Sequence, residues 1–64
     1  MKAKVILRND SYEVEPGKTI QHTLEELGIN RESVLPTRDG DLIADDVVIR
    51  SGDIIKLVAV ISGG

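Results

Sequence analysis

Residues 19–29, TIQHTLEELGI, decide the architecture, because their apolar residues repeat with a helical period while those on either side alternate. Ile20, Leu24 and Leu27 recur at i, i+4 and i+7, which puts them on one face of a helix of about ten residues. Thr19 is suited to cap the first turn, where a side-chain oxygen accepts an amide proton that the helix leaves unpaired. Gly28 is suited to end the helix in the left-handed conformation, and Ile29 to close over its last turn. A single short amphipathic helix needs an apolar surface to cover, and the flanking sequence must supply it.

Upstream, AKVILRN (3–9) sets Lys4 and Arg8 against Val5 and Leu7, the period-two pattern of a strand over residues 3–8 with one buried and one wet face. Asn9, Asp10 and Ser11 supply turn chemistry. YEVE (12–15) then alternates again, Tyr12 and Val14 on one side and Glu13 and Glu15 on the other, so an amino-terminal hairpin is expected, closed by Pro16-Gly17. Downstream, SVLPTRDGDLI (33–43) carries Asp39-Gly40 between two short apolar runs, a strong signal for a tight hairpin. Pro36 has no amide proton for a ladder, so the first strand of that hairpin is expected at a sheet edge or broken there. ADDVVIRSGD (44–53) reads as a connection with a turn at Gly52-Asp53. IIKLVAVI (54–61) is the longest apolar run and suits a central strand covered on at least part of both faces. The expected order is ββαβββ or ββαββ in one α+β domain.

If Lys56 faces water, parity sends Val58 and Val60 outward with it and turns Ile55, Leu57 and Ala59 toward the helix. The same parity on the first strand leaves Ile6 outward. Ile6, Val58 and Val60 would be neighbours if these two strands pair in parallel, and they form a candidate contact patch.

Sixty-four residues make one domain with a small core. With no cysteine and one histidine, neither disulfides nor a zinc site is available to staple it, so aliphatic packing must hold the fold. A net charge of −3, with eight basic and eleven acidic residues interspersed, gives no basic patch, and Tyr12 alone gives no stacking platform; direct nucleic-acid binding is not expected. No apolar run resembles a signal peptide or membrane span, and a cytoplasmic location is expected. His22, Glu25 and Glu26 lie on the polar side of the helix without a second histidine or a cysteine, which argues against a metal site or a general acid–base pair. Asp45 and Asp46 lack the oxygen-rich spacing of a calcium loop, and no glycine cluster joins a strand to a helix as in a phosphate-binding loop. Nothing within the domain is expected to be catalytic.

The chain closes on Gly63 and Gly64, two residues without a Cβ ahead of a terminal carboxylate. At the usual glycine frequency of about 7%, such a pair arises by chance at that place in roughly 0.5% of chains, which favours a role for it. Fully extended, residues 61–64 span about 14 Å, enough to carry the carboxylate off the domain into a narrow channel of another protein. A carboxylate is a poor electrophile, so chemistry at Gly64 requires activation, and an ATP-derived acyl-adenylate with a good leaving group is the natural form. Sulfur as nucleophile would then give a thiocarboxylate, and an amine an amide.

TLEELGI after a hairpin, Gly52-Asp53 before the last strand and the terminal ISGG together resemble, over essentially the whole chain, the ubiquitin-like sulfur carriers of the β-grasp fold. That group comprises the thiazole-synthesis carrier, the small subunit of molybdopterin synthase, the tRNA-thiolation carriers and the small archaeal modifiers. The resemblance implies a mixed four- to five-stranded sheet with one main helix on one face, a domain over residues 1–60 and a flexible tail over 61–64. It implies a carrier rather than an enzyme, with Gly64 adenylated and thiocarboxylated, Gly63 as the approach to it, and Ile61 and Ser62 as channel contacts. No cofactor would be bound; ATP and Mg would be used by a ubiquitin-activating-like adenylating enzyme, and a sulfurtransferase or sulfur-accepting enzyme would follow. AVISGG most resembles the carriers that supply sulfur for tRNA 2-thiouridine. Sulfur delivery for thiamine or molybdopterin, conjugation through Gly64 to lysines of target proteins, and a plain binding domain ending in two glycines stand as alternatives. Lys2, Lys4, Lys18 and Lys56 are either solvated charges or acceptors of another copy's tail.

Overall fold

The computed structural model describes residues 1–60; the expectations for Ile61, Ser62, Gly63 and Gly64, and with them the division of the chain at residue 60, lie outside the described residues. Strands β1 (Ala3–Leu7) and β2 (Asp10–Val14) precede helix α1 (Ile20–Leu27); a single 3-10 turn at Arg31–Ser33 leads into β3 (Val34–Arg38), β4 (Asp41–Leu42) and β5 (Ile54–Ala59). The sheet order is β2-β1-β5-β3-β4, with β1 and β5 parallel and the other neighbours antiparallel. This is the longer of the two expected orders, and the mixed sheet with one helix on one face is a β-grasp architecture.

The helix ends where its residues say it should. The Thr19 hydroxyl accepts from the His22 amide at 3.2 Å. Gly28 sits at φ 75°, its amide donating to the Glu25 carbonyl at 3.1 Å while the Ile29 amide donates to Leu24 at 2.9 Å. That pair of reversed bonds satisfies carbonyls the last turn would otherwise leave open. Ile20 and Leu24 are buried against Ala3, Val5, Val14, Val34, Ile55 and Leu57, and Leu27 and Ile29 pack at the margin.

The connection before β5 is more than a linker. Ile49 is fully buried in the core. The chain around it crosses the amino-terminal end of α1, where the Ile20 and Gln21 amides, unpaired by the helix itself, donate to the Val47 and Asp45 carbonyls at 3.0 and 2.8 Å. Residues Gly17 and Ile49 donate in turn to Ile49 and Lys18 carbonyls at 2.7 and 2.9 Å.

Four expectations need correction. First, β3 is neither an edge strand nor broken, since it lies between β5 and β4. Pro36 is tolerated because its carbonyl accepts from the Ile43 amide, so its nitrogen also points to the β4 side, away from β5. The two-residue β4 pairs only with Thr37 and Arg38, so the missing amide proton is not needed there. Second, β5 is central, but only its inner face is covered: Ile54 and Val58 are exposed on the other. Third, Ala59 is exposed despite its inward parity, because it ends β5 and lines an open cleft beside Leu7, Ile29 and Val34.

Fourth, the first hairpin turns one residue early. Leu7 pairs with Asp10, Asp10 and Ser11 already belong to β2, and Arg8 begins the turn at φ 56°. A non-glycine residue held there costs roughly 1–2 kcal/mol. Arg8→Gly is therefore expected to raise stability by about 0.5–1 kcal/mol after the entropy cost of glycine in the unfolded chain is offset, read as a higher midpoint in denaturant. A lower midpoint would mean that the Arg8 side chain contributes more than the strain removes. The second hairpin shows no such mismatch, with Asp39 at φ 53° and Gly40 at φ 85° as a two-residue turn of this kind requires.

Candidate functional site

Residues paired across neighbouring strands share a face, and the outer face follows from the register. Leu35 lies opposite Val58, Thr37 opposite Lys56, Ile6 beside Lys56 and Lys4 beside Ile54. On this uncovered side Leu35 (45% exposed), Ile54 (55%), Val58 (47%) and Val60 (41%) present aliphatic surface to water. Val60 is tied down beyond β5, its amide donating to the Ser33 carbonyl at 2.8 Å. Leu35, Val58 and Val60 thus surround the place where the described chain ends.

Of the three residues expected in a patch, Val58 and Val60 are exposed as parity requires. Ile6 has the right parity but is half-buried, so the patch leans toward β3 rather than β1. Leu35 was invisible to sequence reasoning because Val34 and Leu35 are both aliphatic, and only pairing with β5 decides that Val34 goes in and Leu35 out. Ile54 had a signal, since it shares parity with Lys56. Two ammonium groups flank the patch, and neither Lys4 nor Lys56 makes an ion pair among the described residues.

Several of the polar residues singled out from the sequence are engaged in holding structure. Glu26 binds the Lys18 ammonium at 3.0 Å and approaches exposed His22 at 3.9 Å. Asp45 faces Arg31 at 3.5 Å. Gly52, at φ 83°, lets Asp53 reach back to accept from the Arg50 amide at 2.9 Å, and the same carboxylate meets Arg38 at 3.0 Å. Gly52-Asp53 therefore fixes the entry to β5. Among the described residues no three His, Asp or Glu side chains come together as a metal site, and no helix is long and apolar enough to cross a membrane.

The fold and the site together define a β-grasp domain that presents an apolar sheet face at the end of its last described strand. The chain matches the ThiS family over residues 4–64 and belongs to that family of ubiquitin-like sulfur carriers. It is 33% identical over 64 residues to the sulfur carrier protein TtuB of Thermus thermophilus, an alignment covering 95% of this chain and 98% of that relative.

Proposed function

We propose that this carrier works through the Gly64 carboxylate and delivers sulfur for tRNA 2-thiouridine synthesis. The carboxylate attacks the α-phosphate of ATP in the Mg-dependent site of a ubiquitin-activating-like enzyme, pyrophosphate leaves, and the acyl-adenylate forms. A sulfur nucleophile at the hydrosulfide level then displaces AMP and leaves a thiocarboxylate, whose sulfur passes to an acceptor enzyme. Ile61, Ser62 and Gly63 thread the activating channel. The observation that carries this reading is the exposed Leu35–Val58–Val60 cluster at the end of the described chain. Two glycines, a serine and a single isoleucine offer too little area to offset the several kcal/mol of freedom lost on association, so a second contact near the tail is required. Family membership and the likeness to a sulfur carrier protein support sulfur as the cargo, and the resemblance of the AVISGG ending to the tRNA-thiolation carriers supports tRNA as the destination. The proposed cycle runs in the cytoplasm.

Intact-mass measurement of the protein recovered from its own cells tests the chemistry: exchange of one terminal oxygen for sulfur supports it. Isopeptide-linked larger species with no thiocarboxylate would overturn it in favour of protein modification. The docking face is tested separately. Val58→Asp is expected to leave the fold intact, because the side chain already meets water, and to lower adenylation efficiency at least about tenfold, as loss of an interface anchor does. Lys56→Glu on the same face should act mainly on encounter rate and fade as salt is raised. A folded Val58→Asp protein activated at the normal rate would move the docking surface elsewhere.

A further inference from the structure

We propose that the free edge of β2, with the cleft between β2 and α1, binds an extended basic segment of a partner protein by adding it to the sheet as a sixth strand. β2 is the first strand in the sheet order and five residues long, whereas the opposite edge, β4, has two residues and cannot template a strand. The Lys4 amide donates to the Asp53 carbonyl at 2.9 Å, so the peptide groups of Lys4 and Ile6 point to β5 and those of Ala3, Val5 and Leu7 to β2. Their partners Asp10, Tyr12 and Val14 are thereby turned inward along the ladder. The N–H and C=O groups of Ser11 and Glu13 are left facing away from the sheet. Natural edges are blunted by charges, lysine above all, by proline or by a bulge; β2, DSYEV with a continuous register to β1, has no lysine, proline or bulge, and its only charges, Asp10 and Glu13, are negative and repel an acidic strand rather than a basic one.

Beside this edge lies a cleft of about 240 Å³ with Val14, Thr23 and Leu27 at its base and Glu13, Glu15, Lys18 and Glu26 around it. Thr23 is 2% exposed, yet its hydroxyl has no hydrogen-bond partner. A buried hydroxyl normally has one. The charge selects the occupant. Glu26 is matched by Lys18 and Glu15 by Lys2 at 3.4 Å, but Asp10 and Glu13 make no ion pair among the described residues. A second copy paired edge to edge would add two more carboxylates and no cation to the ladder, whereas a segment alternating aliphatic and basic residues would set the former over Val14 and Leu27 and the latter beside Glu13. β1 separates β2 from β5, so such a segment leaves Leu35, Val58 and Val60 uncovered and the carrier able to hold two partners at once.

The probe is a capped nine-residue peptide alternating valine and lysine, titrated into the isotope-labelled full chain to about 1 mM, a range that reveals even weak binding. Amide shifts centred on Ser11, Glu13 and Thr23, slowed exchange of the Ser11 and Glu13 N–H groups, and at least about tenfold weaker binding of the same peptide N-methylated along one edge support strand addition. Glu13→Lys, at an exposed position, should weaken binding several-fold while the native spectrum persists. Four results would each overturn the proposal: no shifts, undiminished binding of the N-methylated peptide, shifts confined to the Leu35–Val58 face, or concentration-dependent protection of Ser11 and Glu13 without peptide, which would assign the edge to self-pairing. None of these depends on chemistry at Gly64.

Discussion

Deleting Gly64 is expected to abolish adenylation and sulfur transfer completely while shifting the unfolding midpoint by no more than experimental error. The two halves of this expectation have separate physical grounds. In the proposed cycle the electrophile made from ATP is the carbonyl of Gly64, and a chain ending at Gly63 would present its carboxylate one residue, about 3.5 Å, short of the α-phosphate; in-line attack does not tolerate such a displacement. The core of the described residues, by contrast, runs from Ala3 to Leu57, and a glycine has no side chain to bury, so its removal is expected to cost no packing. Gly63→Ala separates reach from width: the length is kept and a Cβ is added where the channel is expected to be tight, so adenylation should fall steeply again with stability unchanged. Adenylation followed by pyrophosphate release, beside denaturant unfolding of the same samples, makes the comparison. A Gly64-deleted protein that still forms an adenylate would end the terminal-carboxylate mechanism.

The largest effects on stability should come from Leu24→Ala and Ile49→Ala, each costing roughly 2–5 kcal/mol through lost burial and the cavity left behind. Leu24 is 1% exposed and Ile49 fully buried. Against the roughly 3–10 kcal/mol that about 0.05–0.15 kcal/mol per residue gives for a chain of this size, either loss removes a large share of the total stability. His22→Ala, on the exposed side of the same helix, is the control and should stay within about 0.5 kcal/mol of the parent. Denaturant midpoints at constant m-value decide it. If Ile49→Ala unfolds no more easily than His22→Ala, residues 44–49 are a loop draped over the helix rather than part of the core.

These two positions also mark the boundary between what was legible in the sequence and what was not. Leu24, Thr19, Gly28 and the Asp39-Gly40 turn were readable because each is fixed by a local rule: helical spacing, a capping oxygen, a backbone angle that glycine or aspartate adopts. Alternation about Lys56 likewise gave the outward parity of Val58 and Val60, and the glycine pair is where the proposed carboxyl-terminal chemistry starts. Ile49 lies in ADDVVIRSGD, where neither a helical nor a strand period singles it out. It is buried because the segment pairs with Gly17, Lys18 and the first amides of α1, partners about thirty residues away in the chain. The same holds for the patch. Local alternation could not choose between Val34 and Leu35, nor show that Ile6 is half-covered, nor that Pro36 faces a strand too short to need its proton. Those outcomes were decided by the strand order β2-β1-β5-β3-β4, because exposure belongs to a face of the assembled sheet, and which residues share a face is set by long-range register rather than by neighbours in sequence.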